Sequence, residues 1–342
     1  MKNSQPDKPG IKKLPTLKRQ TISLDQTELI KTEFFSDEKT LPLVIKPNVE
    51  GVNILNWAIS NQALIETELS KYGGILFRNF NVNGVSGFEQ FIQIVSGNLL
   101  EYKERSSPRS HVSGNIYTST DYPANQSIFL HNENSYQHTW PLKIFFFCVT
   151  AAQQGGETPI ADVRKVYQRI SPQVKEKFSQ KQVMYVRNFG KGFGLPWQTV
   201  FQTTNRDQVE EYCHKNGIEA EWIENNGLRT RQVRQAVTKH PKTGEIVWFN
   251  HAAFFHISTL ESKIRESLLA EFPESDLPQN TYYGDASPIE PTILEEIRSA
   301  YQQETVTFPW QEGDILMLDN MLTAHGRKPF SGSRKVVVGM AE

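Results

Sequence analysis

The chain has 342 residues, a length that accommodates one large domain or two, and 38% of its residues are hydrophobic, which suffices for a sizeable core. Its 37 lysine and arginine residues are balanced by 38 aspartate and glutamate residues, giving a net charge of −1. This balance argues against a nucleic-acid-binding protein, which typically carries a clustered basic excess. Nucleic acid is therefore not an expected partner.

The cysteine content and the length of the apolar runs indicate the cellular compartment in which the protein works. The two cysteines, Cys148 in an apolar run and Cys213 in a polar helical segment, argue against a disulfide framework or a zinc site made of thiolates. No apolar run is long enough to span a bilayer, and the N-terminus lacks the apolar stretch of a secretory signal. We therefore expect a cytoplasmic protein with no membrane partner.

The predicted elements begin after a tail. Residues 1–22 are rich in lysine and proline and are predicted to form a disordered basic tail, followed by a single domain over 23–342. A short strand is predicted at 41–48, and one helix at 52–74, where apolar residues recur at helical spacing. Further elements of this half are a strand at 75–80, a helix at 86–97 and an apolar strand at 142–151.

The second half continues with mixed elements. Ser171 as a cap and Pro172 in the first turn predict a helix over 171–180. The remaining predictions are helices at 206–217, 261–272 and 290–303, and strands at 245–256, 314–327 and 334–341. No internal repeat is visible. The sequence predicts a mixed α/β fold whose core is mainly β-sheet.

The stretch SIFLHNENSYQ, residues 127–137, places His131 and Glu133 two positions apart in an otherwise apolar segment. Because successive side chains of a β-strand point to opposite faces, these two would share one face about 7 Å apart, while Asn132 points away. Imidazole and carboxylate ligands suit iron, manganese or zinc. We therefore predict a metal site on this strand.

A third ligand and a cation occur late in the chain. His325 lies at the end of an apolar strand and is followed by KPFSGS, a turn-forming run that leads to Arg334. If the two strands pair as a hairpin, Arg334 is brought back beside the strand that carries His325. A permanently cationic fork would then lie near the metal.

Two histidines and one carboxylate form the facial triad of non-haem Fe(II) oxygenases. A guanidinium nearby suits the distal carboxylate of a dicarboxylate co-substrate, because the two groups pair through two hydrogen bonds. In GGETPIAD, Gly155 and Gly156 permit a tight turn and Thr158 offers a hydroxyl to the carboxylate that chelates the metal. A zinc hydrolase is an alternative, although the H-E-x-x-H motif of zincins is absent.

The motifs HNENSYQ, GGETPIAD, HPKTGEIVWFN and DNMLTAHGRKPFSGSRKVVVGMA together resemble the taurine-dioxygenase-like superfamily of Fe(II)/2-oxoglutarate-dependent oxygenases. Within it, they resemble the branch that contains clavaminate synthase and the aspartyl hydroxylase of syringomycin biosynthesis. The resemblance runs from about residue 73 to the C-terminus. It implies a double-stranded β-helix, or jelly roll, flanked by helices.

The resemblance also implies a role for each motif residue. His131, Glu133 and His325 are expected to bind Fe(II). Thr158 is expected to contact 2-oxoglutarate near the metal, and Arg334 to anchor its distal carboxylate. The implied co-substrates are 2-oxoglutarate and dioxygen.

Two positions depart from the pattern of many relatives. Glu133 stands where many have aspartate, and a glutamate there is similar to the clavaminate-synthase branch. The nine-residue step from His325 to Arg334 is short beside several relatives. Arg327 is therefore the alternative anchor for the co-substrate.

The implied chemistry is oxidative decarboxylation of 2-oxoglutarate to succinate and carbon dioxide, coupled to removal of a hydrogen atom from an unactivated C–H bond. Hydroxylation is the expected outcome, and desaturation and ring closure stay open. Halogenation is disfavoured, because family halogenases resemble this scaffold without the carboxylate ligand, and Glu133 is present.

The branch implies an amino acid or amino-acid-derived substrate in specialised metabolism such as antibiotic biosynthesis, either free or tethered to a peptidyl carrier protein. A catabolic dioxygenase of a small sulfonate or aryloxy acid is the alternative, and a non-catalytic jelly-roll binding protein is another. Aromatic residues that could shield the site or simply pack the core are Tyr136, Trp140, Trp248 and Phe249. Basic residues that could face a substrate or carrier, or lie on the solvated surface, are Lys143, Arg187, Lys191, Arg229, Arg231 and Arg234.

Overall fold

A computed structural model of the protein describes residues 26–101, 109–119, 121–190 and 194–342. The predicted basic tail over residues 1–22 lies outside these ranges. The strands, numbered in chain order, are β1 Ile30–Glu33, β2 Leu43–Pro47, β3 Gly74–Phe77, β4 His111–Ser113, β5 Ile116–Thr118, β6 Ile128–His131, β7 Lys143–Thr150, β8 Gln154–Gly155, β9 Ile160–Asp162, β10 Val183–Phe189, β11 Glu219–Ile223, β12 Gly227–Arg234, β13 Val237–Lys239, β14 Ile246–Trp248, β15 Gln279–Tyr283, β16 Ile315–Asp319, β17 Thr323–Arg327, β18 Phe330–Ser331 and β19 Lys335–Ala341.

Most of the helices flank the sheets. They are α1 Ile54–Ser60, α2 Gln62–Tyr72, α3 Gly84–Ser96, α4 Val163–Arg169, α5 Pro172–Lys181, α6 Trp197–Phe201, α7 Arg206–Lys215, α8 Ala252–Phe255, α9 Ser262–Glu271 and α10 Pro291–Glu304. Short 3₁₀ turns occur at Gln26–Leu29, Ile257–Thr259 and Glu274–Asp276. Among the described helices, none is long and apolar enough to cross a membrane.

The largest sheet has eight strands in the order β1-β2-β3-β16-β7-β19-β5-β4, in which β2 and β3 are parallel. Its central strands β7 and β16 are apolar without interruption because both of their faces are buried. Alternate side chains therefore enter two different clusters. Ile144, Phe146 and Leu316 face the interior between the sheets, and Phe145, Phe147 and Ile315 pack under helices α1 to α3.

A three-stranded sheet, β6-β17-β9, and the β18–β8 pair form the opposing layer. Ile160 of β9 lies in the same hydrophobic cluster as Phe146 and Leu316 of the large sheet, so the two layers enclose one core. Two facing and mainly antiparallel sheets with flanking helices are a double-stranded β-helix. This architecture confirms the predicted fold class.

The chain between β9 and β16 adds a second layer of structure to the smaller sheet. It contributes helices α4 to α10 and a four-stranded antiparallel sheet in the order β11-β12-β10-β15. Tyr185 of β10 and Phe255 of α8 share a cluster with Leu130 of β6 and Ala324 of β17. The added segment therefore packs against the side of the jelly roll that carries both predicted histidine ligands.

Two predicted elements are interrupted where an asparagine side chain bonds the backbone. The single helix predicted over 52–74 is two helices, because Asn61 donates its side-chain amide to the carbonyl of Trp57 and separates them. The strand predicted over 245–256 ends at Trp248. There the Asn250 carboxamide accepts the N–H of Ala252 at 2.9 Å, donates to Ala236, and starts the short helix α8.

The strand predicted over 314–327 is also two strands. Asp319 accepts the backbone N–H groups of Met321 and Leu322, and this turn sends the chain from β16 in the large sheet to β17 in the small one. The strands of His325 and Arg334 do not form a hairpin either, because they belong to different sheets. Strand β17 pairs with β6 and β9, whereas β19, which follows Arg334, pairs with β7 and β5.

Candidate metal and co-substrate site

His131 and His325 face each other across neighbouring strands. They are register partners in the β6–β17 pair, and their ring centroids lie 4.5 Å apart. His131 Nδ1 lies 2.9 Å from the carbonyl oxygen of Phe129, which can only accept, so Nδ1 carries the proton. Its Nε2 atom keeps a lone pair for a metal. Phe254 stacks on the His131 ring at 4.4 Å and holds its plane.

The alternation pattern predicted that Glu133 lies on the same strand as His131, and this prediction is wrong. Strand β6 ends at His131, and Glu133 lies in the turn that follows. The turn nevertheless brings its carboxylate to the histidines. One ligand atom from each of His131, Glu133 and His325 lies within 4.8 Å of the other two, and Glu133 Oε2 is 3.6 Å from His325 Nε2.

Asn320 fixes the backbone of this turn from the β16–β17 connection. Its Oδ1 accepts the N–H of Glu133 at 2.7 Å, and its Nδ2 donates to the carbonyls of Glu133 and Pro141 at 2.9 and 2.8 Å. Asn132 donates its side-chain amide to the carbonyl of Asn320 at 2.6 Å. The turn that carries Glu133 and the turn that precedes β17 are therefore joined by three of these bonds, and the fourth extends to Pro141.

Two of the predicted ligands, Glu133 and His131, are held in forms that can bind a cation. Burial raises the pKa of the Glu133 carboxyl, but the Arg109 guanidinium 2.8 Å away and His325 outweigh it and hold that pKa well below its usual range. Burial, followed by the neighbouring His325 and His251, lowers the pKa of His131 well below its usual range. The carboxylate is thus ionised and this imidazole neutral at neutral pH, as metal binding requires.

Thr158 is buried with one defined hydrogen bond, two residues before Ile160, the register partner of His325. The indole N–H of Trp310 donates to Thr158 Oγ1 at 3.2 Å. Because the indole can only donate, the Thr158 hydroxyl acts as acceptor in this bond and its own proton stays available for another group. Thr158 can therefore donate to a carboxylate, as predicted, and Trp310 is the partner that orients it.

Arg334 reaches the same region although its strand and that of His325 do not form a hairpin. Its Nε donates to the carbonyl of Gly156 at 2.8 Å and its Nη1 to Ser119 Oγ at 3.4 Å, while Nη2 makes no hydrogen bond within the described part of the chain. Burial, followed by the nearby Arg327, lowers its pKa to about 10, so it remains cationic at neutral pH. One edge of its guanidinium is open to an anion.

Arg327, the alternative anchor, is occupied by the backbone. Its Nη1 donates to the carbonyl of Tyr122, and its Nη2 to those of Pro123 and Gln126. These hydrogen bonds from Arg327 stabilise the turn that leads into β6. Its fork is already used, which favours Arg334 as the group that could bind a co-substrate.

The aromatic residues named from the sequence divide into two groups. Tyr136 packs near the site, 5.1 Å from the ring of His251, which in turn lies 5.5 Å from the ring of His131. Trp248 packs on Phe178 in the hydrophobic core, and Trp140 packs on Phe249. Tyr136 is therefore the one of the four that these ring contacts connect to the ligand histidines.

Most of the basic residues named from the sequence contact acidic side chains or main-chain carbonyls. Lys143 lies 3.3 Å from Glu66, and Arg231 lies 3.0 Å from Glu221. Arg229 pairs with Asp276 at 2.6 Å, and Arg234 donates to the main-chain carbonyl of Asn216 at 2.7 Å. Arg187 is buried, with its guanidinium 5.7 Å from the ring of Tyr136, and Lys191 lies outside the described residues.

Sequence reasoning missed Arg109, Asn320, Trp310 and Phe254. The Asp-Asn pair between two apolar runs is a turn signal that could have identified Asn320 as a junction residue. Nothing in the local sequence of Arg109 or Trp310 connects either residue to its partner. Both contacts depend on how distant parts of the chain pack.

A family profile described as taurine catabolism dioxygenase TauD, TfdA family, matches residues 39–340. The chain belongs to this family. It is a non-haem Fe(II)/2-oxoglutarate-dependent oxygenase, for which iron is the cofactor and 2-oxoglutarate and dioxygen are the co-substrates. The recognition made from the motifs is confirmed.

Individual relatives agree with this assignment. The oxygenase is 42% identical over 278 residues to the dapdiamide synthesis protein DdaC of Enterobacter agglomerans, covering 81% of this chain and 84% of the relative. It is 27% identical over 324 residues to a clavaminate synthase-like protein of Arabidopsis thaliana, covering 90% and 95%. The fold is similar to the crystal structure of PvcB from Pseudomonas aeruginosa, with a TM-score of 0.54, 13% identity, and coverage of 94% of this chain and 92% of that one.

The donor set of this oxygenase fits Fe(II). Two imidazoles and one carboxylate converge within 4.8 Å, and they leave coordination positions for other ligands. His131 presents a fixed tautomer, and His325 has a buried Nδ1 without a hydrogen-bond partner among the described residues. The ring of His325 is held instead by packing, with Phe146 at 5.0 Å.

Proposed function

We propose that His131, Glu133 and His325 bind the catalytic Fe(II) of this oxygenase. The observation that carries this assignment is the convergence of these three donors, each buried or half-buried, at the junction of β6 and β17. Thr158 and Arg334 are the proposed 2-oxoglutarate residues, because one offers a free hydroxyl proton and the other an open guanidinium edge.

Bound iron with 2-oxoglutarate and dioxygen supplies an oxidant for unactivated C–H bonds. The chain's own residues orient the groups and keep water out. The carbonyl of Phe129 fixes which nitrogen of His131 faces the metal, and Phe254 stacks on one face of that ring. Arg334 pairs with a carboxylate through parallel hydrogen bonds, which defines the direction of a dicarboxylate as well as its affinity.

The proposed reaction is hydroxylation of an unactivated C–H bond, with desaturation or ring closure as alternatives on the same scaffold. The presence of Glu133 in the ligand cluster supports oxygenation over halogenation, because the carboxylate occupies the position that a halide would need. Which outcome follows depends on where the substrate places its reacting carbon.

The proposed substrate is an amino acid or amino-acid-derived intermediate of specialised metabolism, free or bound to a peptidyl carrier protein. Support comes from the relative named for dapdiamide synthesis, which is similar over most of both chains. The family description names taurine catabolism, so a small sulfonate or aryloxy acid remains the second candidate. Both candidates are small molecules that enter the same site.

We also propose that residues 23–342 form one oxygenase domain in the cytoplasm. The hydrophobic cluster between the two sheets joins residues from the first and last strands of the jelly roll, which supports a single folding unit. The chain has only two cysteines and both are buried, as expected for a protein that works in a reducing compartment.

The test is anaerobic titration of the apoprotein with Fe(II) and then 2-oxoglutarate, following the weak visible charge-transfer band of the chelated complex. The wild type should develop the band. Arg334→Lys should need about 10- to 100-fold more 2-oxoglutarate, because it replaces a charge-assisted pair of hydrogen bonds by a single point contact.

Arg327→Lys is the matched comparison. It should lower the unfolding temperature, because the guanidinium bonds three backbone carbonyls, but leave the 2-oxoglutarate requirement close to that of the wild type. If the effects of the two variants were exchanged, Arg327 would be the anchor. A wild type that binds Fe(II) but gives no band with 2-oxoglutarate would contradict the assignment of the site.

A further inference from the structure

Arg109 makes a buried contact with Glu133 that the proposed chemistry does not yet use. Its Nη2 donates to Glu133 Oε2 at 2.8 Å, and the two residues are only 8% and 2% exposed. A charge-assisted hydrogen bond of this kind is shorter and about twice as strong as a neutral one. Arg109 lies 24 residues before Glu133 and immediately before β4, far from the motifs that identify the family.

Different residues hold the two parts of Glu133: Asn320 bonds its main chain, and Arg109 bonds its carboxylate. Asn320 bonds the main-chain N–H and carbonyl of Glu133, so the backbone position is already fixed. The torsions of the side chain still decide where the carboxylate points, and the bond from Arg109 restricts them. The oxygen that Arg109 contacts is the same Oε2 that lies 3.6 Å from His325 Nε2.

We infer that Arg109 is a positioning residue for the metal site, acting through the carboxylate of Glu133. It aims that carboxylate at the ion and limits it to one well-defined orientation. This inference rests on the proposed assignment of Glu133 as a metal ligand. Hydrogen-bond partners of metal ligands typically contribute 10- to 100-fold to metal affinity, which is the size of effect expected here.

The charge of Arg109 has a second consequence. A buried cation is stabilised by an anion beside it, and removal of the Glu133 carboxylate would take away the anion that contacts Arg109 Nη2 at 2.8 Å. In a Glu133→Gly variant, the Arg109 guanidinium would lie beside an empty space next to the metal. That space should accept a small carboxylate such as formate, which would take over the position of the missing side chain.

The first experiment measures Mn(II) affinity of the apoprotein by electron paramagnetic resonance of the unbound ion. Arg109→Gln should bind Mn(II) about 10- to 100-fold more weakly than the wild type. Arg109→Lys, which keeps the charge but not the planar fork, should show a smaller loss. If the glutamine variant does not fold, the lysine variant carries the comparison.

Arg78→Gln is the matched control. Arg78 and Asp314 form another buried pair, with Nη2 and Oδ2 2.6 Å apart and residue exposures of 5% and 1%, and neither residue contacts the three ligands. Loss of this pair should lower the unfolding temperature without changing Mn(II) affinity. A loss of affinity equal to that of Arg109→Gln would show that general destabilisation explains both results, and would overturn the inference.

The second experiment uses formate with Glu133→Gly and with the double variant Glu133→Gly, Arg109→Gln. Formate should restore part of the Mn(II) affinity in the single variant and not in the double variant. Equal restoration in both, or wild-type affinity in Arg109→Gln, would contradict the role of Arg109. Wild-type Mn(II) affinity in Glu133→Gly itself would instead refute Glu133 as a ligand, so the two failures are distinguishable.

Discussion

The Thr158 hydroxyl shows how one neighbour decides what a side chain can do. A serine or threonine hydroxyl can rotate to donate or accept, and its direction is ordinarily undetermined. Here the Trp310 indole N–H donates to the hydroxyl oxygen, so the hydroxyl proton is directed to another group. The threonine becomes a donor through a residue 152 positions away in the sequence.

Trp310→Phe should weaken 2-oxoglutarate binding by about 5-fold, because it removes one hydrogen bond worth about 1 kcal/mol to the orientation of Thr158. The visible-band titration measures the change. Trp57→Phe is the control, since the Trp57 indole nitrogen is buried with no partner among the described residues and its ring packs from helix α1 onto Phe77 of β3. Equal affinity in the wild type and the Trp310 variant would show that Thr158 needs no orientation.

Asn320 acts at the same scale but on the backbone. A single carboxamide donates to two carbonyls and accepts one N–H, and all three bonds fall on the segment from Glu133 to Pro141. This use explains why a buried amide is tolerated in an apolar environment, since each of its groups has a partner. It also explains how Glu133 is placed although it lies beyond the end of its strand.

At the scale of elements, the pairing of β6 with β17 creates the histidine pair. His131 and His325 are register partners, and the register then shifts between His325 and Arg327. Gly326 lies at this irregularity, where a Cβ atom would be 2.6 Å from the carbonyl oxygen of Ile128. The glycine therefore allows β17 to approach β6 closely enough for both imidazoles to face one ion.

The turn between β8 and β9 places Arg334 in a similar way. Gly156 adopts a φ of +74°, and a Cβ atom there would lie 2.9 Å from Arg334 Cδ and 3.0 Å from its Nε. Left-handed backbone without steric cost and close approach of a side chain both require glycine at this position. Both glycines of the motif have a positive φ, and the absence of a side chain at Gly156 leaves room for Arg334 against the backbone.

Gly156→Ala should raise the 2-oxoglutarate requirement about 10-fold, because the added methyl group displaces the Arg334 side chain. The visible-band titration measures this, together with the unfolding temperature. Gly51→Ala is the matched control, with a φ of +83° and nothing within 4 Å of its Cβ position. It should cost similar backbone strain and leave 2-oxoglutarate binding unchanged, and an unchanged requirement in Gly156→Ala would contradict the proposed fit.

At the scale of the whole molecule, the metal site joins segments that are distant in sequence. Glu133 follows β6 and His325 lies in β17, far later in the chain, and a bound ion would link these two segments. A ligand that binds the folded state and not the unfolded state adds to stability by mass action. Metal binding should therefore stabilise the fold as a whole.

Mn(II) at 100 times its dissociation constant should raise the free energy of unfolding by about 2.7 kcal/mol, with a matching rise in unfolding temperature. Thermal unfolding with and without the ion measures the shift, and a chelator should reverse it. Glu133→Ala should show a much smaller shift. A wild type whose unfolding temperature is the same with Mn(II) and with chelator would show that the three side chains do not form a metal site.

How far the sequence predicts this molecule depends on the range of the interaction concerned. Continuous apolar runs identified β7, and Ser171 and Pro172 marked the start of α5, because burial on both faces and helix capping are local patterns. Elements with internal breaks were predicted less well. The interruptions at Asn61 and Asn250 depend on side-chain bonds to backbone groups that an apolar pattern does not reveal.

The sequence by itself determined the family and the fold class and named His131, Glu133 and His325 as candidate ligands, because metal chemistry restricts residue type and the family motifs keep their order. The tertiary structure decided how those residues meet and what supports them. Arg109, Asn320 and Trp310 contact their partners across 24, 187 and 152 residues. Such contacts form only when the two sheets close around one core, since chain connectivity alone places no constraint on residues so far apart.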